Sequence, residues 1–425
     1  MTEKLKARLL AALPSARALL QWLLLAGLAG LACGGAGAAF TWCVAQAAAL
    51  RAAHPWLLFC MPIAGLVIVW SYRAAGLEND SGTNQIIASV RGETRPPVRL
   101  APLIFLGSVL THLTGGSAGR EGAALQIGGS LSEGIGRMLR LGEKNLNTII
   151  QCGMAGLFSA LFGTPVTATV FSLEVVNVGH MHYSALFPCL MSALVANSIP
   201  RYLGLPAESY HLLGVPEMGP VSMLRCGGLA ILAALVSIAF CALMHAAGRL
   251  YKKYIPNQYL RALAGAAFVI ILTIIEGSGD YNGAGGNIIE LAVEGEVHAP
   301  WAFALKMLFT ALTLGAGFRG GEIVPTLFIG STFGCAVGPL FGLDPAFGAA
   351  ISMIALFCGV VNCPLASIFL AIELFGGGGL PFFALACALS FLLSGHYSLY
   401  SGQKLVYSKL EARLDEQYQK SKNIS

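Results

Sequence analysis

Two short segments carry ionisable groups in settings where they could do chemistry. Gly119-Arg120-Glu121-Gly122 sets one carboxylate among glycines at the start of an apolar stretch. Gly320-Gly321-Glu322-Ile323-Val324-Pro325 sets a second in a similar place. A glycine-rich approach to a helix start leaves backbone N–H groups unpaired and aimed at one point, and the positive end of the helix dipole adds to them. Such a point holds an anion. A carboxylate there has two states. Ionised, it takes the anion's place; protonated, it is neutral and can leave. One side chain then binds either a proton or the anion's position, which is the minimum that exchanging one for the other requires. Glu121 is the foremost candidate for this role. Glu322 is either a second carboxylate on the anion's route or a loop residue bonding neighbouring N–H groups. Arg120 and Arg319 can attract anions, or tie loops together through carbonyls and carboxylates. Thr83 and Asn84 offer uncharged donors and are also ordinary helix-capping residues. Tyr407 can donate a phenolic O–H or sit at a membrane interface, and Tyr397 and Tyr400 compete with it.

These residues sit in a chain that keeps charge away from itself. Of 425 residues, 56% are hydrophobic and 11% charged, with a mean hydropathy of +0.71. A soluble domain carries about 25% charged residues. So few charges cannot cover a water-facing surface, which excludes a soluble enzyme, a nucleic-acid binder and a disordered regulator. Residues 18–50, 52–72, 145–173, 175–200, 226–248, 345–372 and 374–403 contain no Asp, Glu, Lys or Arg. A bilayer core about 30 Å thick needs about 20 such residues per helix, and lipid offers the backbone no hydrogen bonds, so the chain is expected to be a polytopic α-helical membrane protein. The run at 18–50 is too long for a signal peptide and reads as the first membrane helix. The shorter or glycine-broken runs 101–119 and 262–274 suggest half-membrane helices. Basic residues cluster at run edges and at both ends, which places both termini in the cytoplasm. The eleven cysteines lie mostly inside apolar runs without CxxC spacing and read as small hydrophobes, not disulfides. His112, His180 and His182 lack partners at metal-ligand spacing. Ser184 with His182 is only a loose nucleophile–base pair and lies outside the glycine segments, so no enzyme and no cofactor are expected.

The chain also repeats itself. Gln85-Ile86-Ile87 resembles Asn287-Ile288-Ile289, and Gly119-Arg120-Glu121 with Leu125-Gln126-Ile127-Gly128 resembles Gly321-Glu322-Ile323 with Leu327-Phe328-Ile329-Gly330, both at an offset of 202. Thr164-Pro165-Val166 running to Glu174 resembles Cys363-Pro364-Leu365 running to Glu373, at an offset of 199. Three matches in one order at nearly one offset make residues 18–200 and 219–403 two copies of one helical unit, joined by a linker at 201–218 and flanked by segments 1–17 and 404–425. An odd number of crossings per copy would invert one against the other, and inverted repeats place substrate near the midplane where broken helices meet. Pro165, Pro325 and Pro364 all fit a first helical turn, where proline costs no hydrogen bond. Glu174 and Glu373 hold matched positions, which suits capping or pairing at helix ends.

Together these residues resemble the CLC family of anion channels and proton-coupled anion transporters, over roughly 18–413. Gly119-Arg120-Glu121-Gly122 is similar to the family's G-(K/R)-E-G motif. Gly320 to Pro325 stands in the place of G-G-x-F-x-P, and Asp80 to Ile86 in that of G-S-G-I-P-x-I. Gln403 to Ser408 fits the segment that carries the family's anion-coordinating tyrosine. The resemblance implies an all-α inverted-topology repeat with broken, half-membrane helices. It assigns anion binding to Thr83, Asn84, Gly119, Arg120, Gly122, Gly321, Ile323, Val324 and Tyr407, and proton or gating roles to Glu121 and Glu322. It also implies a homodimer in a bacterial-type inner membrane, with lipid, a small anion and protons as partners. Asn84 replaces the family's proline, Glu322 precedes an isoleucine in the third motif, and Val175 replaces a second glutamate. That combination resembles the fluoride-specific branch, although Ala123 stands where the branch carries Thr or Val. The expected activity is therefore fluoride/proton antiport, with a chloride or nitrate/proton antiporter or a passive chloride channel as the alternative. The segment 404–425 is too short for the regulatory domains some members carry.

Overall fold

The computed structural model describes residues 2–296 and 299–409, with side chains from Arg17 onward. Residues 410–425, most of the expected C-terminal tail, lie outside the described residues. The first repeat comprises α1 (Thr2–Ala53), α2 (Met61–Ala74), α3 (Thr83–Val90), α4 (Leu100–Leu113), α5 (Glu121–Met138), α6 (Glu143–Phe162), α7 (Pro165–Glu174) and α8 (Leu186–Tyr202). The second comprises α9 (Pro220–Tyr254), α10 (Gln258–Glu276), α11 (Gly286–Val293), α12 (Ala302–Gly315), α13 (Ile323–Val337), α14 (Pro345–Val361), α15 (Pro364–Phe375) and α16 (Leu380–Leu393). Each helix has its counterpart eight places on, so the symmetry seen in three motifs extends to the whole chain. α1 is continuous through residue 17, and residues 205–217, which form neither helix nor strand, join the repeats.

Two of the uncharged runs each hold two α-helices separated by a break. The run at 145–173 breaks where Gly163 (φ +78°) ends α6 in the left-handed region and Pro165 opens α7. The run at 345–372 breaks the same way, at Asn362 (φ +55°) before Pro364. A left-handed residue followed by proline stops one helix and starts the next without a buried, unpaired N–H. The expectation of a half-membrane helix at 262–274 is corrected: α10 continues through its polar ends to 19 residues, long and apolar enough to cross a membrane. The short counterpart of α4 is instead α12, and each has 14 residues.

α14 is buried from Ala346 to Val361, and it packs with α13, as α6 packs with α5, to form the centre. The approaches depend on missing side chains: a Cβ on Gly128 would overlap the Gly153 carbonyl, and one on Gly334 the Gly348 carbonyl. Small residues let membrane helices come this close where no hydrophobic force separates protein from lipid. α1, α2 and α10 face outward, exposing Leu24, Leu31, Ile63, Trp70, Ile271 and Ile275.

The inversion shows in reciprocal contacts. Glu174 at the end of α7 accepts from Leu365 and Ala366 N–H (3.2 and 2.9 Å) at the start of α15. Glu373 in α15 accepts from Val166 and Thr167 N–H (3.0 and 2.8 Å) at the start of α7. The two helices lie antiparallel, each carboxylate capping the other. On the face where α3 ends, β1 (Asn177–Val178) pairs parallel with β2 (Lys404–Leu405), and Arg91 donates to Gly402 O at 2.8 Å. Glu93 bonds both Arg91 and Lys404, and the Arg91 hydrogen bond leads in lowering its carboxyl from 4.5 to about 2.

Glu174→Ala and Glu373→Ala should each cost about 1.5–3 kcal/mol, the range for hydrogen bonds to charged groups. In detergent unfolding the losses should add, because the two caps sit at opposite ends of the pair and share no partner. The Glu93 clamp, depressed in the folded state, contributes fully above the ordinary carboxylate range and fades as pH falls from 4.5 toward about 2. Limited proteolysis of the 398–409 segment should therefore stay slow at pH 5 and quicken near pH 2–3.

Candidate functional site

The glycine segments meet. Gly119 N–H donates to Gly321 O and Gly321 N–H to Gly119 O, both at 2.7 Å, an antiparallel bridge on the axis that relates the repeats. The N-termini of α5 and α13 leave this crossing together. The first α5 amide to reach a carbonyl is Ala124 (to Arg120 O, 2.9 Å), and the first in α13 is Thr326 (to Glu322 O, 3.0 Å). The amides before them at Glu121, Gly122, Ala123, Ile323 and Val324 donate to no backbone carbonyl among the described residues. Four uncommitted donors, at Gly122, Ala123, Ile323 and Val324, and two dipole ends thus share one buried place; Glu121, Ile323 and Val324 there are all under a tenth exposed. Gly321 leaves no room for a side chain. A Cβ on Gly321 would overlap Gly122 N, and a Cβ on Gly119 would lie 2.8 Å from Glu121 Oε2.

Both carboxylates reach this crossing. Glu121 is the first residue of α5 and 1% exposed. Its Oε2 accepts from Arg120 N–H at 3.0 Å, and Arg120 Nε lies 3.5 Å from Oε1, which has no hydrogen-bond partner. Glu322 occupies the N-cap position of α13. Its Oε2 is also buried without a partner, 2.9 Å from where a Gly122 Cβ would stand. Glu322 therefore bonds no neighbouring N–H through that oxygen. The arginines tie loops: Arg120 pairs with Glu208 at 2.8 Å, and Arg319 with Asp80 at 2.9 Å over the Tyr72 ring.

The uncharged donors arrive on α3. Thr83 Oγ1 donates to Gly122 O at 3.3 Å, which sets the start of α3 against the first turn of α5, and Gln126 Nε2 donates to the same carbonyl at 3.2 Å. Asn84 accepts from Gly402 N–H at 2.8 Å. Because that N–H can only donate, the amide oxygen must face it and the NH2 faces elsewhere. Tyr407 is not part of this group. It is 48% exposed, with its ring against Gly179 beside β1. The tyrosine brought inward is Tyr400, 2% exposed, its hydroxyl buried without a partner and within electrostatic reach of both Glu322 and Glu121. The reason is the turn at 398–403, where Tyr400 N–H bonds Ser398 Oγ and Gln403 ties back to Val361 O, folding the chain inward before β2 carries Tyr407 out.

Two further residues lay outside the motif reading. Glu208, on the stretch expected to be a mere linker, supplies the partner of Arg120; its signal was a lone acid in a chain that spends few. Gln126 braces Thr83, and its position one helical turn after Gly122 was the available clue. A cavity of about 620 Å³ opens on Arg120 and Val324 from the face where α1 ends.

Residues 63–395 match the family described as voltage gated chloride channel. The chain belongs to this family. Among its relatives is a chloride/fluoride channel protein of Pseudomonas syringae pv. tomato, 35% identical over 407 residues, which are 93% of this chain and 89% of the relative. The fold superimposes on the crystal structure of a CLC-type fluoride/proton antiporter with a TM-score of 0.88 and 33% identity, covering 91% of this chain and 98% of the other. A slow cyanobacterial Cl−/H+ antiporter shares the fold at 21% identity and TM-score 0.74, over 88% and 94% of the two chains. The CLC inverted repeat expected from the sequence is the architecture present.

Gly321→Ala should be among the most damaging single substitutions, since the overlap is with backbone that cannot step aside. A loss of about 1–3 kcal/mol is the scale for overpacking. Size-exclusion profile and melting temperature in detergent would report it; a wild-type melt would show that the crossing is looser than drawn.

Proposed function

We propose that this protein is a proton-coupled antiporter that exports fluoride, with Glu121 alternately carrying a proton and occupying the anion's place. The observation that carries this reading is Glu121 itself: a buried carboxylate with one oxygen that accepts no hydrogen bond, at a crossing of two helix N-termini that leaves four amides uncommitted. An anion arriving there satisfies those amides and displaces the side chain. The displaced side chain is tolerable in an apolar interior only with a proton on it, because an unpaired charge there costs at least about 2.5 kcal/mol. Anion entry and proton uptake are thereby one event.

Glu322 supports the coupling. It brings a second carboxylate to the same crossing, with one buried oxygen that no donor serves, and so offers a second place for the proton. Tyr400 lies within electrostatic reach of both and offers an O–H donor; we assign it the anion-coordinating role that the motif placed on Tyr407. Fluoride is favoured by the donor set, since the O–H of Tyr400 and the NH2 of Asn84 suit a small, strongly hydrated ion. The fluoride/proton antiporter structure at 33% identity points the same way. The chloride/fluoride channel name of the Pseudomonas relative keeps chloride and passive conduction as the second reading. We place the protein in the inner membrane as a homodimer with both termini cytoplasmic, one pathway per subunit.

In proteoliposomes with fluoride and pH electrodes, fluoride gradients should drive protons uphill, and chloride should move far more slowly. A reversal potential at the anion's own Nernst value would identify a channel instead. Glu121→Gln should abolish proton movement, and unchanged coupled flux would refute its role. Glu322→Gln should lower proton-coupled flux at least tenfold; wild-type stoichiometry would reduce it to scaffolding. Tyr400→Phe should weaken fluoride transport several-fold, while Tyr407→Phe should not.

A further inference from the structure

The chain between α8 and α9 is tied to both repeats at once. Glu208 N–H donates to Phe162 O at the end of α6 (3.2 Å), and Tyr210 N–H donates to Leu374 O near the end of α15 (2.8 Å). The Tyr210 ring lies against Phe375, with centroids 5.7 Å apart. A Cβ on Gly163 would overlap the Ala207 methyl, so the same stretch sits tightly on the break between α6 and α7. These anchors bracket one acid. Glu208 Oε1 accepts from Arg120 Nη2 at 2.8 Å, and its Oε2 accepts from the Tyr210 hydroxyl at 3.3 Å.

Arg120 is thereby shared unequally between two acids. Its Nη2 bonds Glu208, whereas its Nε stands 3.5 Å from Glu121 Oε1, an oxygen that accepts no hydrogen bond. A guanidinium can grip a carboxylate with two parallel N–H bonds, and Glu121 does not receive that grip. The other ionisable groups around Glu121 leave Arg120 to Glu208. From α13, Glu322 Oε2 lies 2.9 Å from where a Gly122 Cβ would stand. From the 398–403 turn, Tyr400 is within electrostatic reach. From α4, His112 is held by Ser108 O, and from the end of α1, Arg51 lies 3.6 Å from where a Gly115 Cβ would stand. α3 and α6 meet α5 through uncharged residues, Thr83 and Gly153 among them. None of these bonds the Arg120 guanidinium.

We infer that Glu208 is a positioning residue for the exchange: it holds the Arg120 guanidinium on the inter-repeat linker, off the Glu121 carboxylate, so that an arriving anion can displace that carboxylate. This rests on the antiport reading, in which Glu121 and the anion compete for the crossing. Without the Glu208 charge, Arg120 is free to close on Glu121 Oε1 and pair with it. The ionised side chain is then held in the anion's place. A cation brought closer to a carboxylate also favours its charged form. Displaced Glu121 must carry a proton, so a closer Arg120 opposes the step, and a lower pH is needed to drive it. The linker thereby sets both the apparent anion affinity and the pH range of exchange, without touching the anion.

The test uses the full-length protein in proteoliposomes, with fluoride as the probe and exchange rate recorded against pH. Glu208→Gln keeps the shape of the side chain and removes its charge. It should move the pH profile about one unit toward acid and raise the KM for fluoride about threefold at neutral pH, with the fluoride/proton ratio unchanged. Glu208→Asp should restore part of both. A second pair of variants separates positioning from direct contact. In Glu121→Gln there is no carboxylate for Arg120 to lock, so adding Glu208→Gln should not weaken fluoride binding measured by titration calorimetry in detergent. An unmoved pH profile and KM in Glu208→Gln, with coupled exchange intact, overturns the positioning role while sparing the antiporter. Weaker fluoride binding in the double variant than in Glu121→Gln alone overturns it too, because Glu208 would then act on the anion and not through Arg120. If the wild type exchanges no protons for fluoride, both readings fall.

Discussion

Two helices pointing their positive ends at each other in a membrane is an unfavourable arrangement, and the rest of this structure exists to hold it. The reciprocal Gly119–Gly321 hydrogen bonds fix the approach, and only glycine allows it, because a Cβ on Gly321 would meet Gly122 N. Each end brings uncommitted amides that no water can satisfy. The crossing must therefore be filled by something negative. In the function proposed above, Glu121 is its tethered occupant and an anion the untethered one, and competition between them needs no moving domain.

The inverted repeat produces this arrangement economically, and function enters where its symmetry fails. At matched positions, α5 opens with Arg120-Glu121 and α13 with Glu322-Ile323. The acid is shifted by one residue between copies, so one carboxylate starts a helix and the other caps one. Had both copies kept the same residue, two identical acids would have faced each other across the axis. By contrast, Glu174 and Glu373 retain the symmetry and simply close each other's helix starts. Matched residues hold the frame; mismatched ones carry the proposed chemistry.

How much was legible in the sequence follows from the same distinction. Glycine and proline mark backbone geometry directly, so the crossing and the helix starts at Glu121, Pro165 and Pro364 could be read from residue type. Hydropathy could not separate α6 from α7 or α14 from α15, because a left-handed residue before proline breaks a helix without introducing charge. Nor could a motif choose among three nearby tyrosines. That choice was made by Gln403 and Ser398, which bend the chain so that Tyr400 turns in and Tyr407 turns out. Glu208 belongs to the same class: its importance comes from where an irregular stretch lies, with Glu208 N–H bonded to Phe162 O, and irregular chain has no period to detect.

The two routes to the crossing also differ in charge, and this bears on direction. The α3 start is met by Thr83, Gln126 and Asn84, all uncharged. The α11 start is flanked by Arg51 and Lys306. Lys306 stands where the first repeat, 202 positions earlier, has Ile104. A buried lysine in place of an isoleucine is costly, and stability gives no reason to keep it. In the proposed export reading, an anion leaving one narrow site for open water gains from positive groups near the α11 start, and neutral donors at the α3 start admit it without trapping it. An exchanger built from symmetric halves could run equally well either way; unequal charge at its two mouths is what would let gradients act on it unequally.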